Sequence, residues 1–256
     1  MMTRFFSLFV HSNLFISVCT PLLFLMYALK AQQNFSLLTP FFLFFGSFVA
    51  YNFLRIAPTY KSSTPSKSAK LFLKYKYFYF LPLIVSFALT GLEVYRTERY
   101  WPLILSFLIV GLYEYKNLNL GLRKIPILKT FVVSLVWANL CTALFPQIDW
   151  VHYIECFVFI FLLTLIFDYK DKDQDEKDNI LTIARLLPEK YFLPFISISY
   201  TLFCAYLAHQ FQEYSFFGSV IVVYYVLYNN RIKNTSLHLL IDGLIMLRSL
   251  LYFCQH

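Results

Sequence analysis

Long apolar runs, separated by short polar and basic stretches, follow one another along the whole chain. A helix needs about 20 predominantly apolar residues to span a membrane, and fewer where protein covers part of it. No internal repeat or long linker interrupts the pattern, so residues 1–256 are predicted to form a single all-α domain. We predict a polytopic membrane helical bundle with about nine transmembrane helices, at roughly 5–29, 37–57, 75–92, 101–115, 126–146, 151–168, 191–209, 215–229 and 236–254.

The basic residues test this segmentation, because Lys and Arg gather in the cytoplasmic loops of membrane proteins. With the N-terminus in the cytoplasm, 18 of the 22 Lys and Arg residues fall in cytoplasmic segments. Lys30, Arg96 and Arg99 fall on the other side, and Arg248 lies within the last span. We therefore predict an integral protein of a bacterial inner (plasma) membrane, with its N-terminus in the cytoplasm.

The composition agrees, because 59% of the 256 residues are hydrophobic and only 14% are charged. The five cysteines lie in or beside apolar runs without a C-x-x-C pair, which argues against a zinc site and a disulfide framework. The net charge of +8 comes from residues between apolar runs and not from an aromatic-studded face. Membrane lipids and anionic substrates are therefore the expected partners, and nucleic acid is not expected.

One acidic segment, residues 168–178, stands out in this basic chain because it contains six of the fourteen acidic residues. If the preceding helix continues, Asp168, Asp171, Asp175 and Asp178 lie at i, i+3, i+7 and i+10 and form one stripe. Like charges at this spacing repel unless water, lysines or a bound cation offset them. The segment is thus either a cytoplasmic cation site or a solvated mixed-charge loop, since it also contains three lysines.

The sequence from Phe167 to Thr182 resembles the second Asp-rich motif of the UbiA family of membrane prenyltransferases. That motif reads D-x-x-x-D, followed by a basic residue and a short I/V-x-T segment. Asp171 and Asp175 occupy its two aspartate positions, and Asp168 is an additional upstream carboxylate. The resemblance implies a nine-helix bundle in which these carboxylates bind Mg²⁺, which in turn holds the substrate prenyl diphosphate.

The family's first motif, N-x-x-x-D-x-x-x-D, follows the second helix and is degenerate in this chain. Asn52 matches its asparagine, but Ile56 and Tyr60 stand where the two aspartates are expected. Arg55 could bind the diphosphate directly, because a guanidinium donates paired hydrogen bonds to phosphate. The alternative is that Arg55 extends to the membrane interface and Asn52 bonds to a neighbouring helix.

A third element lies in the loop after the fourth span. Lys116 is loosely similar to the lysine of the family's Y-x-x-x-K element, although it is one residue too close to the tyrosine. A lysine in this loop is also expected from the charge distribution alone. The resemblance implies that Asn52, Arg55 and Lys116 contact the diphosphate.

A few polar residues lie within the predicted spans, where charge is costly and usually faces a partner or a cavity. His11 and Asn13 lie in the first span and Glu155 in the sixth. Asp242 and Arg248 share the ninth span, but six residues separate them, which is not a same-face helical spacing. No pairing between these two is predicted.

Two functions from different classes remain. The first is a Mg²⁺-dependent, UbiA-like prenyltransferase that moves a prenyl group from a polyprenyl diphosphate to a hydrophobic, aromatic acceptor. The second is a catalytically inactive UbiA-like protein that binds a lipid, a quinone or a protein partner, which the missing first-motif carboxylates suggest. A transporter is less favoured, because the mid-span residues are mostly Phe, Leu, Ile and Tyr. The sequence does not single out a catalytic residue.

Overall fold

The computed structural model describes residues 12–56, 80–96, 101–113, 128–177, 181–229, 232 and 234–255, and all regular secondary structure in these ranges is helical. A 3₁₀ helix, Tyr214–Gly218, precedes α10. The α-helices are α1 (Leu14–Lys30), α2 (Leu38–Ile56), α3 (Phe80–Arg96), α4 (Trp101–Tyr113), α5 (Leu128–Thr142), α6 (Trp150–Lys170), α7 (Lys172–Lys177), α8 (Ile183–Leu186), α9 (Glu189–Phe211), α10 (Ser219–Tyr228) and α11 (Asn234–Gln255).

Each of the nine predicted spans overlaps a helix in the described part of the chain. Three stretches are long and apolar enough to cross a membrane, namely α6, α9 and the Ser236–Gln255 part of α11, with mean hydropathies of 2.1, 1.5 and 1.6. The other six predicted spans coincide with shorter apolar helices. The fold class is therefore confirmed, and the chain is an integral membrane protein with a polytopic helical architecture.

The helices divide between two compact units. The first comprises Met1–Glu114 and Asn139–Asp149, and the second comprises Tyr115–Ala138 and Trp150–His256. Helix α5 therefore contributes its first residues to the second unit and its last turn to the first. That the whole chain forms one domain stays a prediction.

In the first unit, α1 packs against α2, and α2 packs against α3. The buried face of α1 carries large apolar side chains such as Leu23 and Phe24, and the Phe24 ring lies 5.1 Å from the ring of Phe145. A polar contact joins α1 to α2, because the Ser47 hydroxyl donates a hydrogen bond to Thr20 Oγ1 at 3.0 Å. Such a bond satisfies both hydroxyls where water is scarce.

In the second unit, α6 packs against α8 and α9, and α9 packs against the 3₁₀ helix and α10. Stacked rings of Phe159 and Phe203, 5.9 Å apart, join α6 to α9. The Tyr200 hydroxyl of α9 shares a hydrogen bond of 3.0 Å with Ser219 at the start of α10. The acidic segment thus continues from α6, which is held in place by its packing against α9.

Large apolar side chains also cover the outside of these helices. Phe87, Ile198, Leu202 and Ile221 are all between 57% and 76% exposed. A soluble protein rarely carries so many exposed large apolar residues, whereas lipid tails solvate them without cost. Their exposure agrees with the assignment to the membrane.

Candidate functional site

The acidic segment begins inside the last turn of α6 and continues through α7. The Asp171 N–H donates a hydrogen bond to the Phe167 carbonyl, and the Asp175 N–H donates one to the Asp171 carbonyl, both at 2.9 Å. This i to i−4 bonding preserves helical phase across the junction of the two helices. Asp168 and Asp175, seven residues apart, therefore lie on one side, as the predicted stripe requires. Asp178 lies outside the described residues.

The two carboxylates of that side meet at Lys129, in the first turn of α5. Its ammonium lies 2.7 Å from Asp168 Oδ1. It also donates hydrogen bonds to Asp175 Oδ2 at 3.0 Å and to Asp175 Oδ1 at 3.3 Å. The side chains of Asp168 and Asp175 are only 1% and 4% exposed, against 15% for Lys129. A single cation thus joins two largely desolvated anions.

Thr130 completes this arrangement, because its hydroxyl donates a hydrogen bond of 2.7 Å to Asp168 Oδ2. Thr130 itself is buried, with 1% of its surface exposed. All four carboxylate oxygens of Asp168 and Asp175 therefore have a donor. We call Lys129, Thr130, Asp168 and Asp175 the Lys129 cluster.

The rest of the acidic segment is bonded to the following helices. The Tyr169 hydroxyl donates a hydrogen bond to Glu189 Oε1 at 2.7 Å, and the Lys172 ammonium donates one to Glu189 Oε2 at 3.0 Å. Arg185 Nη1 donates to the Asp175 carbonyl at 3.4 Å. These bonds, and the burial of two of its aspartates, distinguish the segment from a fully solvated mixed-charge loop.

The remaining acidic side chains of α7 point elsewhere. Asp173 and Glu176 are exposed, which agrees with the prediction that they lie on another side of the helix. Asp171, at the junction of α6 and α7, is half-buried. Within the described residues, no group of three or more His, Cys, Asp and Glu side chains is placed to hold a metal ion. Asp168 and Asp175 come together on Lys129, and the roles of Asp168, Asp171 and Asp175 as Mg²⁺ ligands stay predictions.

The donor chemistry of the cluster fits a hard cation. Carboxylate and hydroxyl oxygens are the ligands that Mg²⁺ prefers, and the Lys129 ammonium already occupies the place between the two carboxylates. A site with one or two protein carboxylates is typical where Mg²⁺ binds together with a substrate phosphate. The residues present are therefore compatible with a Mg²⁺–diphosphate site.

Asn52, of the degenerate first motif, is bonded inside the first unit. Its Oδ1 accepts a hydrogen bond from Asn13 Nδ2 at 3.1 Å. Its Nδ2 donates to the carbonyls of Phe48 at 2.8 Å and Ser12 at 3.3 Å. Asn52 thus bonds to the segment before α1 and to its own helix. Contact of Asn52 with a diphosphate stays a prediction.

The other first-motif and loop residues are not described in the same detail. Arg55 belongs to the last turn of α2, but its side chain lies outside the described residues. Tyr60 and Lys116 lie outside them altogether, and so does His11. The predicted contacts of Arg55 and Lys116 with a diphosphate therefore stay predictions.

A second buried ionic group lies near the opposite end of α6. Arg248 of α11 is 1% exposed; its Nη2 donates a hydrogen bond to Glu155 Oε1, and its Nε donates one to Glu213 Oε2 at 2.8 Å. The guanidinium carbon lies 4.9 Å from the ring centre of Phe159 and 5.8 Å from that of Phe203. We call Arg248, Glu155 and Glu213 the Arg248 triad, which ties α6, α11 and the connection after α9 together.

The roles of several of these residues have little or no signal in the sequence. Lys129 is one of three cations, with Arg123 and Lys124, that could bind diphosphate, although the positive-inside rule explains them equally well. Thr130 carries no signal, and Glu213 lies in a connection between spans, where charge is ordinary. Glu155 and Arg248 were recognisable as costly intramembrane charges.

Comparisons with known proteins give no sequence-level match: no family model and no curated protein matches the chain. Among solved structures, it is similar to the apo structure of a UbiA homolog from Aeropyrum pernix K1, with a TM-score of 0.61 and 12% identity. That similarity covers 91% of this chain and 96% of the other.

The chain also matches a structure of digeranylgeranylglyceryl phosphate synthase, with 16% identity over 99% of this chain and 98% of the other. The TM-score of that match, 0.49, is too low to support an argument. The similarity to the Aeropyrum pernix protein, at 12% identity, establishes the fold alone. The resemblance predicted from the sequence is thus confirmed at the level of the fold: this chain has the fold of a UbiA homolog.

Proposed function

We propose that the protein is a UbiA-like intramembrane prenyltransferase, which transfers a prenyl group from a polyprenyl diphosphate to an aromatic acceptor. The observation that carries this proposal is the pair of buried carboxylates, Asp168 and Asp175, at the end of α6. They lie in the segment that resembles the second Asp-rich motif of the family, within a chain that has the UbiA fold. Two desolvated carboxylates are costly unless a cation offsets them, so their placement favours a site for cationic partners.

The acidic segment would bind the leaving group of the donor. Asp171 and Asp175, helped by Asp168, would hold Mg²⁺, which when bound neutralises negative charge on a diphosphate. Thr130 fixes the orientation of the Asp168 carboxylate through its 2.7 Å hydrogen bond, and Arg185 fixes the backbone at Asp175. Preorganised ligands of this kind lower the cost of ordering a site when the substrate arrives.

The membrane environment matches both substrates of this reaction. A prenyl chain and an aromatic acceptor partition into apolar surroundings, whereas a diphosphate requires a polar site at the membrane surface. The acidic segment follows directly on the apolar helix α6, which supports placing it at such a boundary. We propose that this boundary is on the cytoplasmic side of a bacterial inner membrane, as the distribution of basic residues favours.

The proposal is tested by incubating purified protein in liposomes with labelled prenyl diphosphates of several chain lengths and a panel of aromatic acceptors. We expect a labelled, lipid-extractable product that forms only when Mg²⁺ is present. Protein denatured by heat serves as the control. Absence of product with every donor and acceptor, together with absence of diphosphate release, would contradict the proposal.

A second candidate function is a catalytically inactive relative that binds a lipid, a quinone or a protein. The observations that favour it are Ile56 and Tyr60 in place of the first-motif aspartates, and the ion pairs that Asp168 and Asp175 already form with Lys129. This candidate predicts saturable binding of a prenyl lipid or quinone without turnover. Detection of a transferred prenyl group would exclude it.

A further inference from the structure

We propose that Lys129 is a built-in countercation that a divalent cation must displace from Asp168 and Asp175 before it can bind. The proposal rests on the proposed function for the identity of that cation, Mg²⁺. It adds a regulatory feature: the lysine of this chain, and not the carboxylates alone, determines how readily the site accepts metal.

The geometry makes the ammonium and a divalent cation compete for the same carboxylate oxygens. Lys129 contacts Asp168 Oδ1 and both oxygens of Asp175, within 3.3 Å, and Thr130 donates to the remaining oxygen of Asp168. A divalent cation needs at least some of those lone pairs as direct ligands. To reach them it must approach the ammonium closely, where the two positive charges repel.

Burial of the two carboxylates strengthens the competition between the Lys129 ammonium and a divalent cation. The two aspartate side chains are 1% and 4% exposed, so water screens their interaction with either cation only weakly. Removal of the ammonium would take away the one cation that the described residues place against both carboxylates, in a poorly solvated position. Such a pair attracts a divalent cation strongly, because like charges held together favour any bound positive charge.

Lys129 is also able to move. Its side chain is 15% exposed, more than either aspartate, and it has four rotatable carbon–carbon bonds that allow the ammonium to reach water. Thr130, by contrast, is buried and holds Asp168 in place. The carboxylates can therefore keep their positions while the ammonium leaves and a divalent cation enters.

The first test measures Mn²⁺ binding to the purified protein in nanodiscs by electron paramagnetic resonance, without any prenyl diphosphate. Lys129→Met removes the charge and keeps most of the side-chain volume. We expect it to bind Mn²⁺ about tenfold or more tightly than the wild-type protein, since a neighbouring charge commonly changes ion affinity by one to three powers of ten. Lys172→Met, which removes a half-exposed lysine from the same segment, is expected to change the affinity less than twofold.

The second test uses the wild-type protein and so does not depend on the folding of a variant. The rate at which an amine-acylating reagent modifies Lys129 is followed by mass spectrometry as Mn²⁺ is added. We expect modification of Lys129 to increase with the same half-saturation as Mn²⁺ binding, while that of the exposed Lys190 stays constant.

Equal or weaker Mn²⁺ binding by folded Lys129→Met, or a Lys129 modification rate that Mn²⁺ leaves unchanged, would overturn the proposal. Neither test uses a prenyl donor. A displaceable Lys129 in a protein without transferase activity would leave this inference standing and remove the proposed function. Transferase activity in a protein whose Lys129 modification rate does not respond to Mn²⁺ would support the proposed function and remove this inference.

Discussion

The Lys129 ammonium lies 2.7 Å from Asp168 Oδ1, although the two residues are 39 positions apart in the sequence. The contact is therefore a product of tertiary structure, and it brings a cation to a segment that the sequence alone presents as strongly repulsive. Its strength can be measured independently of any catalytic role.

Lys129→Met is expected to lower the free energy of unfolding by about 3 kcal/mol, because it leaves two buried carboxylates without their counterion. Denaturant titration in detergent micelles measures the change. Adding Asp175→Asn to Lys129→Met should restore part of the loss, since only one unpaired carboxylate then remains. A double variant less stable than Lys129→Met would show that the two side chains do not interact as the structure indicates.

A larger loss of stability is expected when the Arg248 triad is broken. Arg248→Met should destabilise the protein by about 3–5 kcal/mol, because Glu155 and Glu213 would lose the buried guanidinium that both contact among the aromatic rings of the second unit. Arg185→Met is the matched control: that arginine is 23% exposed, and its loss should cost less than about 1 kcal/mol. Similar losses in the two variants would contradict the view that burial determines the value of these contacts.

Variants at the Asn13–Asn52 hydrogen bond can distinguish a structural role of Asn52 from a role in binding the donor. Asn13→Leu and Asn52→Leu each remove the 3.1 Å bond; Asn13→Leu should reduce stability by roughly 1 kcal/mol, and Asn52→Leu by more, because it also removes the bonds to Phe48 and Ser12. If Asn52 also contacts the donor diphosphate, only Asn52→Leu should raise the KM for the donor. Steady-state kinetics of the two variants at varied donor concentration make this comparison. Equal KM values in both variants would assign Asn52 a structural role alone.

The proposed orientation places the acidic segment in the cytoplasm and the C-terminus outside. Cys254 is exposed near the end of α11, whereas Cys19, Cys141, Cys156 and Cys204 are buried. A membrane-impermeant maleimide applied to intact spheroplasts should therefore label the natural Cys254.

A matched pair of variants completes this topology experiment. In a Cys254→Ser background, an added Asp173→Cys on the exposed face of α7 should react only after the membrane is permeabilised. Mass spectrometry of the labelled peptides identifies the modified position. Labelling of Asp173→Cys in intact spheroplasts would contradict the orientation.

The helices could be predicted from the sequence because the apolar runs are long and the basic residues mark their ends. All nine predicted spans overlap helices, although the span at 215–229 divides into a 3₁₀ helix and the ten-residue α10. The stripe of Asp168 and Asp175 was also predictable, because helical periodicity depends on spacing alone.

Partners across the fold could not be predicted in the same way. Lys129 lies 39 residues before Asp168, and nothing in its local sequence distinguishes it from a lysine that obeys the positive-inside rule. Likewise, Arg248 was recognisable as a costly intramembrane charge, but its partner Glu213 lies in a connection and gave no signal. Only the packing of the helices brings these charges together.

The most direct test of the central claim compares prenyl transfer by the wild-type protein, Asp175→Asn and Asp173→Asn in liposomes, with labelled prenyl diphosphate, acceptor and varied Mg²⁺. Asp175 is buried against Lys129, whereas Asp173 lies exposed on the same short helix. Our account predicts that Asp175→Asn reduces Mg²⁺-dependent transfer at least about 100-fold, as loss of a charge-stabilising group typically does, while Asp173→Asn stays within about twofold of the wild type. Equal transfer by all three proteins would contradict it.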